Sequence, residues 1–169
     1  MLSSYIPYFL LALLIHEAGH CLAAYVCRVT ISEFGLGWGR RLWGSRLGGI
    51  DYIIRALPFG AYVRLDLAEL FKRSLSQQAF VLLAGIIANL IAAISTSGTR
   101  FSLMNFLLAA TNILPLYQQD SWKFGMVMLR SIFRRKSSLV EWTFTIAGSC
   151  LSIALFIAFL VQGFKSSGK

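Results

Sequence analysis

The segment Ile15-His16-Glu17-Ala18-Gly19-His20 contains the only two histidines of the chain and lies in an otherwise uncharged apolar run near its N-terminus. On a helix, residues i and i+4 share one face, so His16 and His20 can each point a ring nitrogen at a single Zn²⁺. Glu17 would lie beside the open coordination position, where it can take a proton from a water molecule whose pKa the zinc lowers to about 7. This HExxH pattern predicts the metal site of a peptide hydrolase, with His16 and His20 as ligands and Glu17 as general base.

The alternative is a chance HExxH pattern on an ordinary helix. Here the motif places three ionisable side chains in an apolar segment, where each would cost roughly 2.5–3.5 kcal/mol if it were charged at the centre of a membrane helix. A cost of that size favours a functional metal site over chance.

The composition indicates an integral membrane protein, because 57% of the 169 residues are hydrophobic and only 14% are charged. Apolar runs long enough to cross a bilayer, or nearly so, occur at about residues 4–27, 79–97, 101–117 and 142–162. The sequence therefore predicts an all-α polytopic membrane protein with about four transmembrane helices, forming a single domain over residues 1–169.

The chain has a net charge of +9, and the distribution of its basic residues follows the predicted topology. Thirteen of the sixteen Lys and Arg residues lie in two long loops, 28–78 and 118–141. Such an excess is typical of cytoplasmic loops, so a multi-pass protein with its active site toward the cytoplasmic side is expected.

The basic residues are not interleaved with aromatic residues on one surface element, so no nucleic-acid partner is expected. The three cysteines lack the paired spacing of a disulfide framework or a zinc ribbon.

Residues 34–65 are glycine-rich and rich in β-branched and aromatic residues, which predicts a membrane-associated β-hairpin between the first and second spans. One edge of this hairpin could pair with an extended peptide, or the hairpin could simply cover the helices. The candidate substrate-binding residues are Gly60, Ala61, Tyr62 and Asn89. For Asn89, the polar residue of the second span, an interhelical hydrogen bond is the more economical interpretation.

Polar residues return after the third span, where Pro115 is expected to end the helix. Catalytic zinc commonly takes three protein ligands, and Asp120 is the candidate for the third. The alternative is an interfacial Asp120 paired with Lys123, and the residues alone leave both open. Asn112 could donate an N–H to a developing oxyanion or could serve helix packing.

Five segments of the chain resemble the site-2 protease family of intramembrane zinc metalloproteases, peptidase family M50. They are HEAGH at 16–20, FGLGWG at 34–39, PFGAYV at 58–63, AGIIAN at 84–89 and NILPLYQQD at 112–120. The resemblance implies that His16, His20 and Asp120 hold Zn²⁺, that Glu17 is the general base and that Asn112 stabilises the oxyanion. It also implies that the hairpin lies in the membrane beside the active site, and that the substrate is a membrane protein or peptide in the lipid bilayer of a bacterial cell membrane. A regulatory membrane partner is not identified by the sequence.

Two departures from the family pattern define an alternative function. Ser121-Trp122 follow Asp120 where the family has Gly, and Ile86 replaces the Pro of an AGP motif. The alternative is a catalytically impaired relative that binds membrane segments or zinc without cleavage. The linker at 96–100 is too short for the PDZ domain of many bacterial members, so a compact form without that domain is expected.

Overall fold

The computed structural model describes residues 5–117, 119–133 and 138–167. The described elements, in chain order, are α1 (Ile6–Val26), β1 (Ile31–Leu47), β2 (Ile50–Leu65), α2 (Leu67–Phe71), α3 (Leu75–Ser95), α4 (Arg100–Ile113), α5 (Asp120–Phe133) and α6 (Ser138–Ser167). The chain divides after Thr111 into two compact units, which are described separately below. The single domain expected over residues 1–169 stays a prediction, and residues 1–4, 118, 134–137 and 168–169 lie outside the described part.

The prediction of an all-α protein with four spans is wrong. Two strands of 17 and 16 residues pair in an antiparallel sheet, so the hairpin is present but is far more extensive than an all-α class allows. Among the described residues, two helices are long and apolar enough to cross a membrane, α1 and α3, with 21 residues each. These two coincide with the first and second predicted spans.

The third predicted span corresponds to a shorter helix, and the fourth lies within a longer one. Helix α4 ends at Ile113, two residues before Pro115, and its 14 residues reach about 21 Å at about 1.5 Å per residue. That length is short of the hydrocarbon core of roughly 30 Å. The fourth predicted span lies within α6, where the apolar stretch found among the described side chains is the shorter Leu139–Leu155.

At the starts of α2, α3 and α4, side chains accept hydrogen bonds from the first backbone N–H groups. Ser74 and Gln77 form a reciprocal capping box at the start of α3. Asp66 accepts from the N–H groups of Ala68 and Glu69 at the start of α2. The hydroxyl of Thr99 accepts from the backbone N–H of Ser102 at the start of α4. Residues 96–99 join α3 to α4, and the Ser102 hydroxyl donates back to the carbonyl oxygen of Ala93 on α3 at 2.7 Å.

Within the first unit, α1 packs closely on α3 because small residues face each other. A Cβ atom built at Gly19 would lie 2.6 Å from the carbonyl oxygen of Ala84 and 2.8 Å from the Cβ of Ala88. Such contacts are too short for any side chain, so glycine is required for this backbone approach. The close approach brings the HExxH motif of α1 against α3.

We expect Gly19→Val to separate α1 from α3 and to lower the free energy of unfolding by about 1–3 kcal/mol, the usual cost of overpacking. Thermal or denaturant unfolding in detergent micelles measures this loss. Leu22→Val on the same helix, where Leu22 is 65% exposed, is the matched control and should stay close to wild type. Equal stability of Gly19→Val and wild type would contradict the close packing.

The hairpin turns at Gly48 and Gly49, whose φ angles of 59° and 85° favour glycine at both positions. Beyond the turn the strands bend, and Phe34 of β1 has partners on both sides, Tyr52 and Val63. The two halves of β2 therefore flank the first half of β1. Residues 61–65 pair with residues 31–36 and form one edge of the sheet.

A group of side chains ties this edge together around Tyr62. Its ring lies over Gly35, where any Cβ would overlap the ring, and its hydroxyl donates to a Glu33 carboxylate oxygen. The other carboxylate oxygen of Glu33 pairs with Arg64 at 3.1 Å. Arg55 donates to the Tyr62 hydroxyl at 3.3 Å, and this hydrogen bond raises the pKa of Arg55.

In the second unit, α5 packs on α6 through aromatic rings. Trp122 stacks against Phe144 with ring centroids 6.4 Å apart and meets Tyr117 edge-on at 5.1 Å. A Cβ at Gly148 would lie 2.9 Å from the Trp122 ring, so glycine makes room for the indole on α6. The backbone N–H of Tyr117 donates to Ser152 at 3.1 Å. Together these contacts hold Tyr117 and the start of α5 against α6.

Candidate metal centre

The three ionisable residues of the HExxH motif are all buried in the first unit. His16, Glu17 and His20 are 4%, 8% and 8% exposed. They lie on one continuous helix, α1, so the predicted i, i+4 arrangement of the two imidazoles is present. Asn89, which was also expected at the site, is buried in the same unit.

Hydrogen bonds from α3 set the orientation of both imidazoles. Nδ1 of His20 lies 2.8 Å from the backbone carbonyl oxygen of Val81, which can only accept a hydrogen bond. Nδ1 of His16 lies 2.6 Å from Oδ1 of Asn89. In the neutral form each ring therefore carries its proton on Nδ1 and has its lone pair on Nε2.

The two Nε2 atoms lie 3.3 Å apart. Two nitrogens that each bind a tetrahedral Zn²⁺ at about 2.0–2.1 Å are separated by about 3.3 Å. Facing lone pairs at this distance repel each other, and a shared cation relieves that repulsion. The His16 and His20 side chains thus fit a zinc ion on both the chemistry and the spacing of their donor atoms.

Gly85 of α3 keeps space open in front of these nitrogens. A Cβ atom at this position would overlap Nε2 of His20 and lie 2.7 Å from Nε2 of His16. The absence of a side chain therefore creates the cradle in which both donor atoms meet. The sequence reasoning did not single out Gly85 for this purpose.

A protein-family comparison matches residues 4–99, more than half of the chain, to peptidase family M50. The chain belongs to peptidase family M50. The resemblance noted from the sequence motifs is confirmed, and the four-residue connection between α3 and α4 leaves no inserted domain at that point. Family membership and the two apolar helices together indicate a membrane protein.

The chain is similar to several bacterial proteins. It is 36% identical over 123 residues to a Chlamydia trachomatis protein whose name describes a zinc metalloprotease, covering 57% of this chain and 20% of that protein. It is 33% identical over 107 residues to the regulator of sigma-E protease RseP of Escherichia coli, covering 55% of this chain and 24% of that protein. A third relative, from Clostridium perfringens and also named as a zinc metalloprotease, is 32% identical over 102 residues, covering 53% of this chain and 30% of that protein.

The matched region therefore spans less than a third of the length of these relatives. Two of these relatives are named as zinc metalloproteases, and the spacing of the two histidine donors in this chain fits zinc. The family thus supports Zn²⁺ as the cofactor predicted from the motif.

The remaining expected site residues on the second unit are Asp120 and Asn112. Asp120 is the first residue of α5, is 5% exposed and pairs with Lys123 at 3.1 Å. The sequence analysis gave this ion pair as the alternative to metal binding by Asp120. A carboxylate in an ion pair can also bind a metal through an oxygen lone pair. Asn112 lies in the last turn of α4 and is 7% exposed. Their roles as third ligand and oxyanion donor stay predictions.

The structure also locates the residues expected to bind substrate. Gly60, with a φ of 97°, packs against Trp38, and Ala61 pairs with Leu36 in the sheet. Tyr62 is tied to Glu33. Asn89 is fully buried on α3, where its side chain bonds His16 and two other groups. The interhelical hydrogen bond favoured from the sequence is therefore present, and substrate contact by any of the four residues stays a prediction.

Sequence reasoning missed the contribution of the Val81 carbonyl and of Asn105. Asn105 is fully buried and accepts a hydrogen bond from Asn89 at 2.8 Å. A backbone carbonyl leaves no signal in a sequence, but a buried Asn in an apolar segment does. Asn105 lies in the apolar run 101–117, so its position in the sequence was the signal that could have identified it.

Proposed function

We propose that this chain is a zinc-dependent endopeptidase that hydrolyses peptide bonds in or near the transmembrane segments of membrane proteins or peptides. The observation that carries the proposal is the pair of buried imidazoles whose Nε2 atoms lie 3.3 Å apart on an apolar helix. Glu17 lies next to His16 on that helix and supplies the carboxylate that peptide hydrolysis requires.

Each residue has a distinct role in the proposed reaction. A zinc ion held by His16, His20 and Asp120 would supply Lewis-acid chemistry at the scissile carbonyl and would lower the pKa of a bound water. The carboxylate of Glu17 takes a proton from the attacking water and then passes it to the nitrogen of the leaving amine. The side-chain N–H of Asn112 donates to the oxyanion, and Asp120 completes the ligand set with His16 and His20.

A membrane-spanning substrate must unwind before its carbonyl carbon can be attacked, because helical carbonyl groups are hydrogen-bonded within the helix. The 61–65 edge of the sheet offers main-chain N–H and C=O groups to an extended segment. Since Tyr62 is already fixed by Glu33 and Gly35, this edge is preorganised rather than formed on binding.

We infer that the chemistry takes place within the bilayer, near its cytoplasmic side, in a multi-pass protein of a bacterial cell membrane. Helix α1 ends at Val26, and His20 lies six residues before that end. This spacing corresponds to about 9 Å of helix. The basic residues that follow from Arg28 onward support a cytoplasmic location for that end.

The proposal is tested by reconstituting the chain in liposomes with a library of single-span peptides whose transmembrane segments vary in sequence. Products are identified by mass spectrometry. We expect cuts within or beside the apolar segments, loss of cleavage after treatment with a chelator, and recovery when zinc is added back. Stoichiometric zinc binding with no cleavage of any library member would contradict the proposal and support the impaired relative that binds zinc or membrane segments.

A further inference from the structure

The side chain of His16 is the end of a chain of hydrogen bonds that crosses three helices of the first unit. Nδ1 of His16 meets Oδ1 of Asn89 on α3 at 2.6 Å. Nδ2 of Asn89 donates to Oδ1 of Asn105 on α4 at 2.8 Å. Nδ2 of Asn105 donates to the backbone carbonyl of Phe101 at 2.9 Å. Neither Asn is exposed to solvent.

The direction of this chain is determined by backbone carbonyl groups. A carbonyl oxygen can only accept, so the groups facing Phe101 and Ala12 must be the amide nitrogens of Asn105 and Asn89. Both Asn side chains are therefore oriented without ambiguity, although oxygen and nitrogen of an amide look alike. The oxygen of Asn89 is left facing His16, and it can only accept.

We propose that Asn89 and Asn105 are positioning residues that keep the proton of His16 on Nδ1 and hold its Nε2 toward the metal. Asn89 acts directly on the imidazole, and Asn105 acts through Asn89 by holding its amide in one orientation. Histidine ligands of metals characteristically donate their second N–H to such an oxygen, which fixes the tautomer and the ring plane. This inference rests on the zinc site of the proposed function.

The first test measures zinc affinity by competition with a chromophoric chelator, in the absence of any substrate. Asn89→Leu should raise the Kd for zinc by about 10–100-fold, the usual effect of losing such a partner. Asn105→Leu should raise it by roughly tenfold, the low end of that range, because Ala12 still holds part of the Asn89 amide. When Asn105→Leu is added to the Asn89→Leu variant, it should change the Kd by less than about twofold, since its route to His16 is gone.

Two controls separate positioning from folding. Gln78 is another buried amide of α3, 3% exposed, and it donates to the carbonyl of Arg73 at 2.8 Å. Gln78→Leu should lower stability to a similar degree while leaving the zinc Kd unchanged. The double variant Asn89→Leu with Asn105→Leu replaces both buried amides and should unfold no more readily than either single variant, in which one amide loses its partner.

The second readout is the tautomer of His16 in zinc-free protein labelled with ¹⁵N-histidine. The chain has only two histidines, so the spectrum contains two rings, and His20 is an internal reference bonded to Val81. We expect the Nδ1–H form for both rings in wild type and a loss of that form for His16 alone in Asn89→Leu. An unchanged His16 tautomer, or an equal effect of Asn105→Leu in both backgrounds, would overturn the inference. Because neither readout uses peptide cleavage, failure of the proposed function would be seen separately.

Discussion

Glu17→Gln should retain zinc but lose peptide cleavage by about 10²–10⁴-fold, the usual contribution of a general base. Glutamine keeps the size of the side chain, which is 8% exposed, while removing its capacity to take a proton from water. Because Glu17 is not one of the proposed metal ligands, the zinc Kd should stay within a few-fold of wild type. The cleavage rate is measured in liposomes at saturating zinc.

A second carboxylate provides the matched control for this prediction. Glu69 accepts a hydrogen bond from the backbone N–H of Thr30 at 2.7 Å, away from the histidine pair. Glu69→Gln should cleave at the wild-type rate. If Glu17→Gln cleaved within threefold of wild type, the assignment of Glu17 as general base would be untenable.

Helix α1 and the arrangement of its two histidines were predictable from the sequence, because the HExxH motif is a local signal. The HExxH spacing and the surrounding apolar residues place two imidazoles on one face of a helix without any knowledge of the rest of the fold. The hairpin was also predictable from its glycines and β-branched residues, and the expected range of 34–65 is close to the observed 31–65. The pairing of β1 with both halves of β2 was not predictable, because it is a property of the folded chain.

The groups that orient the imidazoles were not predictable, because they come from distant parts of the chain. Asn89 lies 73 residues from His16, and Val81 lies 61 residues from His20. Their positions depend on the close packing of α1 on α3 at Gly19, which no periodicity reveals. The four-span prediction failed for a different reason: Pro115 was expected to end the helix, and the part of the apolar run 101–117 before it is long enough only for the 14 residues of α4.

The structure also gives a physical account of Trp122, one of the two residues that follow Asp120 where the family pattern has Gly. Its ring fills a space on α6 between Phe144 and Gly148 and contacts Tyr117. A smaller side chain at this position would leave that space empty. Trp122 therefore anchors the start of α5, which carries Asp120, while the glycine position of the family pattern, directly after Asp120, is occupied by Ser121.

Gly85→Ala should abolish tight zinc binding, with an increase in Kd on the order of 100-fold or more, above the range expected for a lost hydrogen-bond partner. The added methyl group would overlap Nε2 of His20 and lie 2.7 Å from Nε2 of His16. The rings cannot simply rotate away, because Asn89 and Val81 hold their Nδ1 atoms. Zinc competition with a chromophoric chelator measures the change.

Helix propensity alone predicts a different result for Gly85→Ala, since alanine favours a helix by about 0.8–1.0 kcal/mol over glycine. If Gly85 were only a helix residue, Gly85→Ala would stabilise α3 and leave the zinc Kd unchanged. If it forms the cradle for the two donor atoms, zinc binding is lost even though the helix is intact by circular dichroism. Ile87→Val changes one methyl group at a 42% exposed position of the same helix and should bind zinc like wild type. An unchanged Kd for Gly85→Ala would show that the two Nε2 atoms do not meet at this glycine.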